Sequence, residues 1–240
     1  MAAAQRRRRR TQLIIGGVAV VVIAAALFLA SKGGGDDNKS AAPIATTSTT
    51  AKPLKGDADT CPPTDGTSKR YTVFDHAPIM CIDASKKYTA TIKTDAGTIV
   101  ADLFPDVALQ TVNNFVFLAR NHFYDGIVFH RVIPDFMDQT GDPQGNGTGG
   151  PGYTIPDEFS ADHAFVDGDV AMAKTTEANS GGSQFFIVNG PQGQALPPQY
   201  TYFGHVTKGM SVVAKINKDG SGSGEPNKDH HMVSVTITEE

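Results

Sequence analysis

Apolar and polar residues alternate in two short runs near the middle of the chain: Tyr88, Ala90 and Ile92, then Ile99, Ala101 and Leu103. The triplet Asp95-Ala96-Gly97 lies between them. A period of two on either side of turn-forming residues predicts a β-hairpin. After Pro105 the period lengthens. Ala108 or Leu109, Val112, Phe115 or Val116, and Ala119 recur every three to four residues, which predicts an amphipathic helix with Asp106 as N-cap and an end near His122. Shorter runs at 127–132, 136–139, 169–173 and 184–188 read as strands, and a loop over 141–152 carries six glycines. A helix at about 208–216 and the alternation Val233, Val235, Ile237 complete the pattern. Many short strands with two helices predict a mainly β fold, a barrel whose ends the helices plug.

The N-terminal third has no such period. Residues 13–30 are apolar and uncharged, and they follow five consecutive arginines at 6–10. Eighteen residues at about 1.5 Å each reach roughly 27 Å, close to the hydrocarbon thickness of a bilayer. Phe28-Leu29-Ala30 sets a bulky side chain where signal-peptide cleavage wants a small one, so the reading is a retained transmembrane anchor, with a cleaved signal peptide as the alternative. The basic tail, residues 1–12, stays cytoplasmic by the positive-inside rule, and the rest of the chain lies beyond the membrane. The expected localisation is therefore the cell membrane, single-pass, with the working domain extracytoplasmic. Residues 31–60 are mostly Gly, Ala, Thr, Ser, Lys and Pro, too poor in large apolar side chains to fold, and read as a flexible linker.

Charge narrows the partners. Of 21 Lys and Arg, five precede the span, leaving 16 basic against 25 acidic residues after it. That balance argues against nucleic acid. The two cysteines, Cys61 and Cys81, both follow the span. In an oxidising compartment the pair reads as a disulfide worth about 3 kcal/mol of loop entropy; two buried free thiols and redox chemistry are the alternatives. They fall in 61–85, an N-terminal extension or clasp without an evident role, in front of a globular region at 86–240.

The chemistry-bearing residues concentrate in 128–142 and in Gly182-Ser183-Gln184-Phe185-Phe186. They supply a strand-borne arginine, amides and apolar side chains but no nucleophile, a set that suits bond rotation better than bond cleavage. Phe129-His130-Arg131-Val132-Ile133-Pro134-Asp135-Phe136-Met137-Asp138-Gln139-Thr140-Gly141-Asp142 resembles the signature of the cyclophilin-type peptidyl-prolyl isomerases. Tyr124-Asp125-Gly126, Gly168-Asp169-Val170-Ala171-Met172-Ala173, Gly182-Ser183-Gln184-Phe185-Phe186-Ile187 and Phe203-Gly204-His205-Val206 follow in the family's order. The resemblance implies a closed eight-stranded antiparallel barrel capped by two α-helices, a substrate groove on the outside of one sheet, proline-containing polypeptides as partners, and neither cofactor nor metal.

The roles it implies make chemical sense. Rotation about an X-Pro bond faces a barrier near 20 kcal/mol, and twisting returns a lone pair to the prolyl nitrogen. Arg131 is the permanently charged donor to that lone pair, its planar fork holding a fixed geometry. Phe136, Met137 and Phe186 form the proline pocket with Leu196 at its edge and Tyr200 as a wall. Gln139 orients Arg131 and bonds the substrate backbone, and the amide of Gln184 with backbone groups near Ala173 and Lys174 holds the flanking peptide. An expected alternative is a module that binds proline peptides in the same groove without turnover as its purpose.

Departures from the family pattern are local. Lys174 stands where Asn is usual, Tyr200 where His is frequent, and Ala195 where cyclosporin-sensitive members carry Trp, so cyclosporin binding is expected to be weak. Other motifs lead nowhere. Gly145-Asn146-Gly147-Thr148-Gly149-Gly150 fits a nucleotide fingerprint literally, but Pro151 and Pro156 follow it instead of a helix. Ser183 lacks nucleophile-elbow spacing. His122, His130, His163 and His205 lack metal-ligand spacing, and His230-His231 reads as solvated.

Overall fold

The hairpin forms where the alternation predicts it. In the computed structural model, which describes residues 53–240, β1 (Tyr88–Thr94) and β2 (Gly97–Leu103) pair antiparallel with Tyr88 opposite Leu103, Ala90 opposite Ala101 and Ile92 opposite Ile99. All six of these side chains are buried. The turn closes on Thr94 Oγ1, which accepts from the Ala96 and Gly97 N–H groups. The basic tail, the apolar span and the linker as far as residue 52 lie outside the described residues. Among the described residues no helix is long and apolar enough to cross a membrane.

The remaining elements are α1 (Leu109–Arg120), β3 (Arg131–Ile133), β4 (Met137–Thr140), β5 (Asp169–Met172), β6 (Phe185–Val188), α2 (Pro191–Gln194), β7 (Tyr202–Lys208), α3 (Met210–Lys218) and β8 (Met232–Glu239). The strands make one antiparallel sheet in the order β3-β4-β6-β5-β7-β2-β1-β8. The expectation of a closed barrel with two helices is corrected on both counts. End strands β3 and β8 share no ladder. β3 has only three residues, and its outer edge is taken by a loop: Val132 N–H donates to Gly224 O, and Ser221 N–H donates to Val132 O. The segment before β3 meets the start of β8 through a single bridge, Val128 to His231. A third helix, the one-turn α2, starts at Pro191.

Two further readings change. β7 escapes a search for alternation because its ladders shift register on both sides, between Val100 and Ala101 and between Val170 and Ala171. Val233 is exposed rather than inward, since the β1–β8 register slips between Lys93 and Thr94 and leaves it as the extra residue of a bulge.

The main core is aromatic. Phe115 of α1 lies 5.0 Å from Tyr124 and 5.4 Å from both Phe185 and Phe203, centroid to centroid. α1 is buried throughout 111–120, including Asn113, Asn114 and Arg120, which an amphipathic reading leaves outside. Each of the three side chains has a partner, although Arg120 Nε has none among the described residues. Asn113 donates to Ile79 O and accepts from Cys81 N–H, Asn114 donates to Gly182 O and accepts from Tyr153 Oη, and Arg120 pairs with Glu239.

Asn113 shows what covers the outer face of α1: the extension of residues 53–87. Cys61 and Cys81 are disulfide-bonded within it. The linker expected to run to residue 60 ends sooner. Thr72 N–H donates to Leu54 O, Gly56 N–H donates to Val73 O, and Ala58 is buried. A segment too poor to form its own core folds here as an edge on residues 72–73.

The N-cap of α1 also differs from expectation. Asp106 is not the cap; Ala108 holds that position, without a side-chain bond. Glu158, from a distant loop, takes over: its carboxylate accepts from Gln110 N–H at 3.0 Å, Thr111 N–H at 2.8 Å and Thr111 Oγ1 at 2.8 Å. A carboxylate at a helix N-terminus satisfies free N–H groups and opposes the helix dipole. Glu158→Ala is therefore expected to destabilise the protein by about 1–2 kcal/mol; urea unfolding monitored by circular dichroism checks it, and an unchanged midpoint would refute the remote cap.

Candidate active site

β4, β5 and β6 are the strands that a barrel interior alone does not explain. β5 and β6 are buried at every position, so both of their faces are covered. Val170, Met172, Phe185 and Ile187 join the main core, whereas Ala171, Phe186 and Val188 join a second apolar cluster with Met137 and Phe165. Ile133, Phe136, Ala173, Leu196, Tyr200 and Tyr202 pack on its margin, partly exposed. Strand alternation thus builds a second apolar floor on the outside of the sheet, separated from the interior by one layer of backbone.

The sequence-predicted residues converge there. Arg131 and Gln139 are cross-strand partners in the β3–β4 ladder, and Gln139 is also paired with Phe186 on β6. Arg131 Nη1 donates to Gln139 Oε1 at 3.3 Å, and the guanidinium carbon lies 5.8 Å from the Phe136 ring centroid. Phe186 meets Tyr200 edge to face at 5.5 Å. Phe136, Met137, Ala173, Phe186, Leu196 and Tyr200 all belong to the one cluster. Burial pulls the Arg131 guanidinium below its ordinary value, with Tyr200 opposing. Cation, orienting amide and apolar pocket are therefore contiguous.

The side chains of Gln184 and Lys174 are engaged within the protein. Gln184 Oε1 accepts from Gln139 Nε2 at 2.9 Å, while its own Nε2 donates to Gly147 O at 3.0 Å and Gly149 O at 2.9 Å. Its side-chain amide is committed to a relay from the glycine loop to Gln139 and then Arg131. The Ala173 N–H donates to Gln184 O and is likewise occupied. Lys174 Nζ pairs with Asp157 at 3.0 Å and sits 4.8 Å from the Phe159 ring centroid, so its charge is spent on the rim.

Sequence reasoning missed Phe165, whose loop carries no period, and the carbonyls of Gly147 and Gly149, which no side-chain motif announces. His130 also belongs here. Its Nε2 lies 3.5 Å from Gln139 Nε2, and burial lowers its pKa, which favours the neutral ring. Ser183 is buried and donates its hydroxyl to Gly141 O, a structural bond. His230, expected in solvent, is buried between Asp95 and Asp219 at 3.0 and 2.8 Å.

One ionisable group lies directly under the site. Asp138 stands between Met137 and Gln139, but alternation turns it inward, where it is fully buried. Oδ1 accepts from Asn217 Nδ2 at 2.7 Å, and Oδ2 has no partner among the described residues. Asn217 Nδ2 also donates to Ile133 O at 3.0 Å, so one α3 side chain ties down both strands of the hairpin bearing Arg131 and Gln139. Burial, partly offset by Asn217 and His230, pushes the Asp138 carboxyl up to about 7.

Comparison with known proteins gives a consistent result. The family described as "Cyclophilin type peptidyl-prolyl cis-trans isomerase/CLD" matches residues 89–237. Peptidyl-prolyl cis-trans isomerase B of Bacillus subtilis (strain 168) is 49% identical over 124 residues, covering 51% of this chain and 85% of that protein. A peptidyl-prolyl cis-trans isomerase of Synechococcus elongatus is 50% identical over 123 residues, 51% of this chain and 83% of that protein. Two crystal structures of a Cryptosporidium parvum cyclophilin type peptidyl-prolyl cis-trans isomerase superpose with a TM-score of 0.59 and cover 99% of that chain. One, 26% identical, covers 64% of this chain; the other, 27% identical and covering 63%, was obtained in the presence of the dipeptide ala-pro.

The Asp138 environment fixes a pH dependence. An ordinary carboxylate titrates near 3.9, so between about pH 4 and pH 7 unfolding releases a proton that the folded chain retains. Stability falls as pH rises through that window. Between pH 5 and pH 8 the wild-type chain is expected to lose about 2–3 kcal/mol on this account, and Asp138→Asn to lose none of it. Parallel stability–pH curves for the two proteins would rule Asp138 out as the responsible group.

Proposed function

The chain belongs to the cyclophilin-type peptidyl-prolyl cis-trans isomerases, and from that premise we propose that Arg131, held by Gln139 beside the apolar cluster of Met137 and Phe186, is the group that catalyses rotation. Its activity is peptidyl-prolyl cis-trans isomerisation. The observation that carries the mechanism is the Arg131–Gln139 cross-strand pair, bonded at 3.3 Å on the rim of an apolar floor outside the main core.

The reaction needs no covalent step. Amide resonance resists twisting, and the cis and trans forms differ by only about 0.5–1 kcal/mol, so the catalyst must lower a barrier without shifting the equilibrium. The floor of Met137 and Phe186, with Phe136, Leu196 and Tyr200 around it, takes the proline ring by apolar contact. As the C–N bond twists, the prolyl nitrogen becomes pyramidal and gains a lone pair that the planar ground state lacks. A guanidinium N–H aimed at that nitrogen binds the twisted state more tightly than either planar one, which is the differential binding that catalysis requires. Gln139 keeps the fork in one orientation, so reorganisation during rotation is small.

The setting we infer is a membrane-anchored enzyme with its isomerase domain on the extracytoplasmic side, acting on X-Pro bonds of polypeptides as they fold. The charge-free run at 13–30 behind the arginines at 6–10 supports this, as does the paired Cys61–Cys81 in a chain with no free cysteine. Labelling of intact cells with a membrane-impermeant reagent tests it: a domain reached only after lysis would place it on the cytoplasmic side.

Two outcomes follow at the site. Arg131→Ala is expected to lower kcat/KM for a short proline peptide in a protease-free assay by about 10²–10³-fold, with an unchanged thermal midpoint; full turnover in the folded variant would remove Arg131 from its role. Cyclosporin is expected to bind no tighter than micromolar, because the rim residue Ala195 offers neither a flat aromatic face nor an N–H donor. Inhibition at nanomolar concentration would contradict that.

A further inference from the structure

Residues 53–87 lie N-terminal to the family match, which begins at residue 89, yet they reach the loop on which the active-site relay hangs. We propose that this extension is a positioning element of the active site, with Phe74 as its contact residue, acting on Arg131 through the glycine loop, Gln184 and Gln139. The inference rests on the reading of Arg131 and Gln139 as the catalytic machinery.

The path is continuous in named bonds. Phe74 N–H donates to Pro151 O at 2.8 Å. Gly152, at φ +101, lies so close that a Cβ there would strike the Phe74 carbonyl oxygen. The loop these contacts pin, 141–152, carries six glycines and has high intrinsic backbone freedom. Asp142 ties its first half, accepting from the N–H groups of Gln144, Asn146 and Gly147. Phe74 ties its far end. Between the two ties lie the Gly147 and Gly149 carbonyls, which receive Gln184 Nε2; Gln184 Oε1 holds Gln139, and Gln139 Oε1 holds Arg131.

Phe74 is itself fixed. Its ring is buried, 5.0 Å from the Phe117 centroid and 6.5 Å from that of Tyr153, and a Cβ on Gly56 would run into it. The segment carrying it closes on itself through Cys61–Cys81, whose second cysteine donates its N–H to Asn113 of α1 at 2.7 Å. The proline floor of Met137, Phe186 and Val188 belongs to a separate apolar cluster that includes neither Phe74 nor the glycine loop. Loosening the extension should therefore leave peptide affinity intact and misplace the guanidinium: kcat changes and KM does not.

A double-mutant cycle on the full chain tests this, using isomerisation of an Ala-Pro-containing tetrapeptide. Phe74→Leu, which keeps an apolar side chain in the site, is expected to lower kcat about fivefold with KM within roughly twofold. In a Gln184→Ala background the same substitution should change kcat by less than about 1.5-fold, because the link it acts through is already cut. An equal factor in both backgrounds, or a lower thermal midpoint with unchanged kcat, would reduce the extension to a stabiliser of the fold and overturn the proposal. Cys61→Ser/Cys81→Ser, which opens the link at nearly constant side-chain size, gives a second reading: a fall in kcat of about twofold or more at constant KM supports the path, and unchanged kcat below the midpoint opposes it. A wild-type chain without turnover would sink the isomerase reading itself; turnover lost in Arg131→Ala but indifferent to Phe74 would remove this inference alone.

Discussion

The burial of β5 and β6 on both faces is the constraint from which the rest of the molecule follows. A curved sheet around an aromatic interior needs only one apolar face, and here the outward faces of three neighbouring strands are apolar as well. Met137, Ala171, Phe186 and Val188 form a second buried apolar cluster with Phe165, and only the residues on its margin, Phe136, Leu196 and Tyr200 among them, are partly exposed. That partly exposed apolar margin is a place for a ligand. The outer positions of β3 and β4 turn polar next to it, so the same alternation that makes the floor sets Arg131 and Gln139 on its rim.

The placement of charge within this frame is selective. Arg131 sits half-buried with Gln139 satisfying part of its fork and the Phe136 ring near it, and among the described residues no carboxylate pairs with it. A partner carboxylate would hold the guanidinium in the ground state and weaken it as a donor to the prolyl nitrogen. An amide orients without competing for the charge. Lys174 illustrates the contrast: its ammonium is committed to Asp157, and it sits outside the rotation chemistry.

Local pattern made the site legible and non-local packing hid its supports. Arg131, Phe136, Met137, Gln139 and Phe186 could be read together because strand alternation fixes which side chains share a face, and the motif spans a single hairpin and its neighbour. The hairpin β1–β2 was legible for the same reason. Glu158 as the cap of α1, Phe165 in the floor, and His230 between Asp95 and Asp219 depend on contacts between segments far apart in sequence, and nothing near them predicts the partner. Val233 and β7 were hidden by register shifts, which break the period that makes a strand visible. The open sheet edge had the same cause, since the pairing of Val132 with Ser221 and Gly224 crosses some ninety residues of chain.

The extension shows how a fold can carry polar residues where a helix should be apolar. Asn113 on α1 would face water if the chain began at β1; instead it bonds the backbone of Ile79 and Cys81, a segment that the disulfide ties to Cys61. Burying an amide without a partner would cost about 1–3 kcal/mol, so Asn113 and the extension require each other. A short segment that could not fold by its own apolar content is ordered by backbone pairing at residues 54–56, by one buried ring at Phe74 and by one covalent link. Because the segment at Phe74 also fastens the far end of the glycine loop, the order imposed on α1 from outside extends to the loop that Gln184 and Gln139 link to Arg131.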